Sequence, residues 1–183
     1  MTPIRAVDTL PTDPAPADRP TAHPEAVAAT GAALRAVLRS VASPVVVVTV
    51  GGDGETAPRG ATIGSFASVS LDPPLVSFNV THGSRLHDAL ASADAFTVHL
   101  LADDQAEVAA FFARSEPAAG DGLEDEAPRL DGTLGTLACD VYARLDAGDH
   151  TVLLGRVTRV AGGRDAAPLL YYRRSYRGIG GEV

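Results

Sequence analysis

The stretch Arg59 to Val80, RGATIGSFASVSLDPPLVSFNV, restricts the folding of this chain more than any other. It opens as a run of small residues, Gly60 to Ser70, turns at Asp72-Pro73-Pro74, and leaves as an apolar strand, Leu75 to Val80. The prolines fix the exit of the loop and cannot donate to a sheet ladder, so a central strand cannot run through them. Glycines at 60 and 64 let a backbone approach a ligand closely. The hydroxyls of Thr62, Ser65, Ser68 and Ser70 and the local N–H groups offer neutral donors for polar edges or a phosphate. On composition alone the segment also reads as an ordinary Ser/Gly-rich connection between two strands.

At 183 residues with 45% hydrophobic residues, the chain is one globular domain able to bury its own core. Aromatics are 5%, so aliphatic side chains must build that core. A formal charge of -8 and the lack of a basic run argue against nucleic acid as the main partner. All 15 basic residues are arginine. No apolar run suits a bilayer, the N-terminus lacks the order of a secretory signal, and a single Cys excludes an intramolecular disulfide framework. These features lead us to expect no membrane partner and a cytoplasmic location.

Residues 1–24, rich in Pro, Ala, Asp and Thr, are expected to be a flexible tail ahead of a domain at 25–183. From Pro24 to Val41 the spacing of Leu34, Val37, Leu38 and Val41 predicts a helix, ended by Pro44. Val45 to Val50 is a β-branched run fit for a buried strand, and Gly51-Gly52-Asp53-Gly54 supplies the turn of a hairpin. Ser84 is placed to cap a short helix reaching Leu90, with His82 and His87 in surface or capping roles. Phe96 to Leu101 alternates as a strand in which His99 reads as a satisfied structural histidine. Asp103 to Arg114 reads as a helix ending near Phe112, whose ordinary role is packing and which is kept as a marginal site residue. The acidic stretch from Ser115 to Leu130 reads as a solvated loop, without the spacing of a calcium site. Leu134 to Leu145 reads as a strand that buries Cys139. Gly148-Asp149-His150 opens the next strand, which runs to Val157. A hydrolytic triad through Asp149 and His150 is rejected: neighbours on an extended strand point to opposite faces, and no GxSxG elbow is present.

Three ordered segments carry a resemblance. TxxSFxSVSxxPP at 62–74, GDHxxxxGxV at 148–157 and PLxYxxxxY at 168–176 resemble the flavin reductase-like, FMN-binding split-barrel family. Its members are short-chain NAD(P)H:flavin oxidoreductases that often serve two-component flavin-dependent monooxygenases. The likeness spans residues 34–177, with Ser43-Pro44 where the family commonly has Gly and His99 where it often has Asn.

The resemblance implies a mainly β fold, an FMN-binding split β-barrel with Greek-key character and a few short helices. It further implies a homodimer with the flavin near the subunit interface, FMN or FAD as flavin, and NADH or NADPH as donor. Thr62, Ile63, Gly64, Ser65, Ser68, Val69 and Ser70 would hold the isoalloxazine and ribityl chain. Ser84 and Arg85 would meet the phosphate, although Ser84 as a plain helix cap with Arg85 in solvent is the competing reading. His150 would position the nicotinamide, with Asp149 biasing its tautomer. Either Tyr171 or Tyr172 would lie against a ring, the site taking Tyr172, and Arg173 would meet a phosphate; the tyrosines read equally as edge or interface residues. No metal is implied. The flavin's own chemistry accepts the hydride at N5, so no nucleophile or general acid is needed. Any partner oxygenase would be a separate chain. The rival readings are a flavin-binding member without turnover, and a reductase of a non-flavin acceptor that keeps its flavin tightly bound.

Overall fold

The computed structural model describes residues 30–51, 59–114 and 130–179. The expected tail, the turn at 52–54 and the acidic segment 115–129 lie outside the described residues. The chain divides into two units, Met1–Val37 and Leu38–Val183. The first unit contributes most of helix α1 (Gly31–Leu38), shorter than the span predicted to Val41. The Thr30 hydroxyl accepts from Ala33 N at 3.1 Å and caps it, and Leu34 and Val37 are exposed.

The second unit contains strands β1 (Ser43–Pro44), β2 (Val46–Val50), β3 (Arg59–Ile63), β4 (Ala67–Leu71) and β5 (Pro74–Thr81). Helix α2 (Arg85–Ser92), strand β6 (Ala95–Leu100) and helix α3 (Ala106–Phe112) follow. Strands β7 (Gly135–Ala147), β8 (His150–Gly162), β9 (Leu170–Tyr172) and β10 (Ser175–Arg177) complete it. Seven strands form one antiparallel sheet in the order β3-β2-β6-β7-β8-β5-β4, and β1-β9-β10 form a small second sheet. Strands β6, β7 and β8 lie side by side while β5 returns next to β8, which is the Greek-key arrangement.

The sheet must roll up. β3 and β4 are its two edges, yet only residues 64–66 connect them. A flat seven-stranded sheet is ~29 Å wide, whereas the link from Ile63 to Ala67 spans at most ~14 Å. The short connection therefore brings the edges toward each other and makes a split barrel.

Its interior holds Val46, Val48, Ile63, Val76, Phe78, Val80, Phe96, Val98 and Leu153, with Leu86 and Leu90 of α2 packed against them. A second cluster on the other face of β2 joins Val45 and Val47 to Leu101, Ala109, Phe112 and Leu169. Strand β2 is thus buried on both faces, which accounts for its uninterrupted valines. Phe112 packs in this second cluster, with Gly60 beneath its ring.

Two expectations are corrected. The segment 63–70 is mostly strand rather than loop, because β4 pairs with β5 around a bulge at Val69. His99 is only half satisfied: its Nε2 meets the Thr49 hydroxyl at 3.1 Å, while its buried Nδ1 has no partner among the described residues. Burial holds this imidazole below its ordinary pKa.

Candidate functional site

The three-residue link at the seam separates a groove from a polar array. The groove, of about 330 Å³, is lined by Val45, Thr62, Ile63, Gly64, Ala113, Tyr171 and Tyr176. Thr62 does not offer its proton to the groove, for its hydroxyl donates to the Ala109 carbonyl of α3 at 2.7 Å. The rings of Tyr171 and Tyr176 meet edge-on at 5.4 Å, and burial beside Tyr171 raises the pKa of the Tyr176 phenol. The Tyr176 phenol therefore stays neutral near pH 7, and the two rings give an aromatic wall. Tyr172, one residue on, takes the opposite face of β9, and the Arg173 guanidinium lies over its ring at 5.3 Å.

The floor at Gly64 is a cradle. A Cβ added there meets no protein atom nearer than 3.8 Å, so it would occupy groove space and nothing else. Ser65 is fixed to β5: its Oγ accepts from Asn79 N at 2.9 Å and donates to Asn79 O at 3.4 Å. Ser68, Val69 and Ser70 follow on β4, an edge strand paired on one side only, so part of its main-chain N–H row faces outward. Aromatic and aliphatic walls, a side-chain-free floor and a rim of neutral donors fit a planar heteroaromatic ring with polar edges, as in a flavin.

The polar array sits at the far end of β5 and β8. A two-residue turn, with Gly148 at φ +64°, joins β7 to β8, and Asp149 occupies its second position. The strand-alternation argument against an Asp149–His150 relay is therefore overturned, whereas the contact expected to bias the His150 tautomer is present. Asp149 lies in the turn, where strand alternation does not apply, and its Oδ1 is 2.7 Å from His150 Nδ1. That hydrogen bond, with the charge of His150, holds the Asp149 carboxyl below the usual range. An ionised carboxylate can only accept, so Nδ1 carries the proton. In the neutral ring Nε2 then accepts from the Thr81 hydroxyl at 3.1 Å. Both ring nitrogens are engaged, and the ring's orientation is set. Thr81 was not anticipated; its cross-strand register with His150 is the signal, and register is invisible in one sequence.

The opposite face repeats the pattern with residue types exchanged. His82 Nε2 meets the Thr151 hydroxyl at 3.1 Å, and that hydroxyl donates to Asp146 at 3.1 Å. Ser84 caps α2 by accepting from His87 N at 3.2 Å, and Arg85 is exposed at the first position of that helix. The structure thus gathers Thr62, Ile63 and Gly64 with Tyr171 and Tyr176 at the groove. Ser65 bridges toward β5, while Ser84 and Arg85 lie beyond Thr81. Cys139 is buried in the barrel and burial pushes its thiol up to about 11, which leaves it protonated and unreactive. Among the described residues no grouping of three or more His, Cys, Asp or Glu could hold a metal ion, and no helix is long and apolar enough to cross a membrane.

Split barrel, ring-shaped groove and oriented histidine together define a flavin-handling protein of the split-barrel class. Comparison with known proteins narrows this further. Residues 38–180 match the flavin reductase like domain. An NADH:FMN oxidoreductase of Rhodococcus qingshengii is 41% identical over 155 residues, covering 78% of each chain. The reductase component of a Thermus thermophilus 4-hydroxyphenylacetate 3-monooxygenase is 40% identical over 119 residues, covering 65% of this chain and 78% of the relative. Among solved structures, a Streptomyces globisporus NADH:FAD oxidoreductase in complex with NAD and FAD fragments superposes with a TM-score of 0.70 at 33% identity, covering 80% of this chain and 91% of that one. The chain belongs to the flavin reductase-like family.

Proposed function

We propose that this protein is an NAD(P)H-dependent flavin reductase that supplies reduced flavin to a separate monooxygenase. The supporting observation is the position of the seam link relative to His150. Ser65 is bonded to Asn79, two residues from Thr81, whose side chain meets His150. Two residues of strand are ~7 Å, so a ring resting on the link comes within reach of the imidazole. When bound, the flavin ring takes up a hydride from the reduced nicotinamide, and the protein need only hold the two rings face to face.

The chain's own residues supply that orientation. Val45, Ile63, Tyr171 and Tyr176 exclude water from one side of the groove. Gly64 permits close approach, and the outward N–H groups of β4 with Ser68 and Ser70 take polar edges. Ser84 and Arg85, at the start of α2, are the site for the flavin phosphate. His150, with Nδ1–H committed to Asp149, presents Nε2 as an acceptor for the carboxamide N–H of a nicotinamide, exchanging it for the Thr81 hydroxyl. A second copy of the chain completes the site. The partner oxygenase follows from the reductase components among its relatives.

The test is nicotinamide oxidation by the purified protein with and without added FMN or FAD. Turnover that rises and saturates with flavin supports a reductase and identifies both preferences. Flavin binding with no oxidation of either nicotinamide overturns the reading in favour of a binding protein. A flavin that stays bound throughout turnover favours a non-flavin acceptor.

A further inference from the structure

The β7–β8 turn carries the Asp149 carboxylate that orients His150, yet that carboxylate is exposed to solvent. What holds the turn is a residue outside it. The His82 N–H donates to the Asp149 carbonyl at 3.1 Å, so the main chain of the turn is tied to the residue that follows β5. The side chain of the same residue reaches the stem of the hairpin. His82 Nε2 lies 3.1 Å from the Thr151 hydroxyl and 3.6 Å from Asp146 Oδ1. Thr151 and Asp146 are cross-strand partners, one step below the Ala147–His150 pair that closes the turn. His82 therefore grips the turn and both strands of its stem.

The protons fix the direction of this chain of bonds. Thr151 has one hydroxyl proton and donates it to Asp146 at 3.1 Å, because a carboxylate can only accept. The Thr151 oxygen is left to accept, so His82 Nε2 is the donor. Thr151 is buried, and its oxygen is satisfied on both sides only with that donor in place. From the helix side, the His87 ring of α2 lies against the His82 ring with centroids 5.1 Å apart.

Thr81 and His82 thus bear on His150 in two ways. Thr81 meets Nε2 of the ring directly. His82 holds the turn and its stem, and so fixes the position from which Asp149 engages Nδ1. Adjacent residues on an extended segment point to opposite faces, which lets these two neighbours approach the hairpin from both sides.

We propose that His82 is a positioning residue for the nicotinamide site: acting through the β7–β8 turn, it keeps Asp149 on His150 and the Nε2 acceptor aimed. The proposal rests on the reductase reading for the ligand that His150 meets. Nothing in the role requires His82 to touch that ligand.

The test is His82→Leu, which removes the side-chain donor and keeps the backbone N–H. A bond from His150 to the carboxamide is made alike in the ground and transition states, so misaligning it raises KM and spares kcat. Nicotinamide KM should rise about threefold to fivefold, short of the effect of removing the imidazole itself. The kcat and the flavin dissociation constant should change less than about twofold. Thr151→Val breaks the same link and should act alike, and the double variant should be no worse than either single one. His82→Gln, which carries an N–H near the Nε2 position, should recover part of the loss. In a His150→Ala background, His82→Leu should leave KM where it is, since the group it acts through is gone.

A readout independent of turnover is the tautomer of neutral His150, read by heteronuclear NMR of its ring. The parent should show Nδ1–H, and both His82→Leu and Thr151→Val should bring in the Nε2–H form. If the parent oxidises no nicotinamide, the reductase reading fails, and a changed or unchanged tautomer still supports or overturns the positioning role. A lower melting temperature with KM and tautomer unchanged makes the clamp structural only and overturns the proposal. An equal rise in KM in the His150→Ala background overturns it as well.

Discussion

His150 is held from both sides, by Asp149 at Nδ1 and Thr81 at Nε2. His150→Ala should raise the nicotinamide KM about tenfold while changing flavin affinity less than twofold, since a lost hydrogen bond of ~1.4 kcal/mol is a factor of ten. Steady-state kinetics with each substrate varied separately reads this; a collapse of flavin affinity instead removes the histidine from the nicotinamide role. His99 poses the opposite case, an imidazole whose pKa burial lowers and whose Nδ1 has no partner among the described residues. Its folded pKa lies below that of the unfolded chain, near 6.5. As pH falls through 6.5 the unfolded chain takes up a proton that the folded one refuses, so stability declines until the lower folded pKa is passed, by at most about 1.4 kcal/mol per pH unit. Above 6.5 this contribution is flat. His99→Asn has nothing to titrate, so urea denaturation between pH 7.5 and 5.5 should show a shallower loss than in the parent. Equal slopes would assign the acid sensitivity to other groups.

At the scale of elements, legibility followed burial. The valine run of β2 announced itself because both of its faces are covered, and the alternation of β6 because one face lines the barrel. Strand β4 was read as loop: its residues ASVSL are mostly exposed and present no buried apolar face, and what makes them a strand is pairing with β5. The β9–β10 turn was equally hidden, since Arg-Arg carries no turn signal. The site divided in the same way. GDH was visible as a motif, but the Asp149–His150 contact depended on a turn residue leaving the strand alternation, and Thr81 on register. The glycine ending that motif has a reason the sequence withheld. A Cβ at Gly155 would overlap the Phe96 ring, whose edge-on contact with Phe78 sits in the barrel interior. Both rings are buried and cannot swing away, so Gly155→Ala should destabilise by about 2–3 kcal/mol. Thermal denaturation against a Gly162→Ala control, where an added Cβ meets nothing within 4 Å, isolates the steric effect. Equal losses would show that strand glycine chemistry, not the Phe96 contact, sets the cost.

The whole molecule is shaped by one short connection, since residues 64–66 force the two sheet edges together without pairing them along their lengths. A seam of this kind leaves β4 with outward main-chain groups and with Val69 and Leu71 at 50% and 89% exposure. Unpaired, apolar edges invite association unless charge or a bulge blocks it. The Val69 bulge prevents a continuous extension of the sheet, but neither Leu71 nor its neighbours on β4 carry charge. We therefore expect a second copy to cover this edge, forming a homodimer whose mass by light scattering is twice the 18.8 kDa of the chain. Leu71→Asp places a charge in the covered surface and should shift the mass toward the monomer at micromolar concentration. Flavin affinity should fall with it, because the donors of β4 belong to both the interface and the ring site. A variant that dissociates yet binds flavin as the parent does would separate the two surfaces and put the flavin site wholly within one chain. A parent protein that is itself monomeric would leave the bulge, and not a partner, as the device that keeps this edge from aggregating.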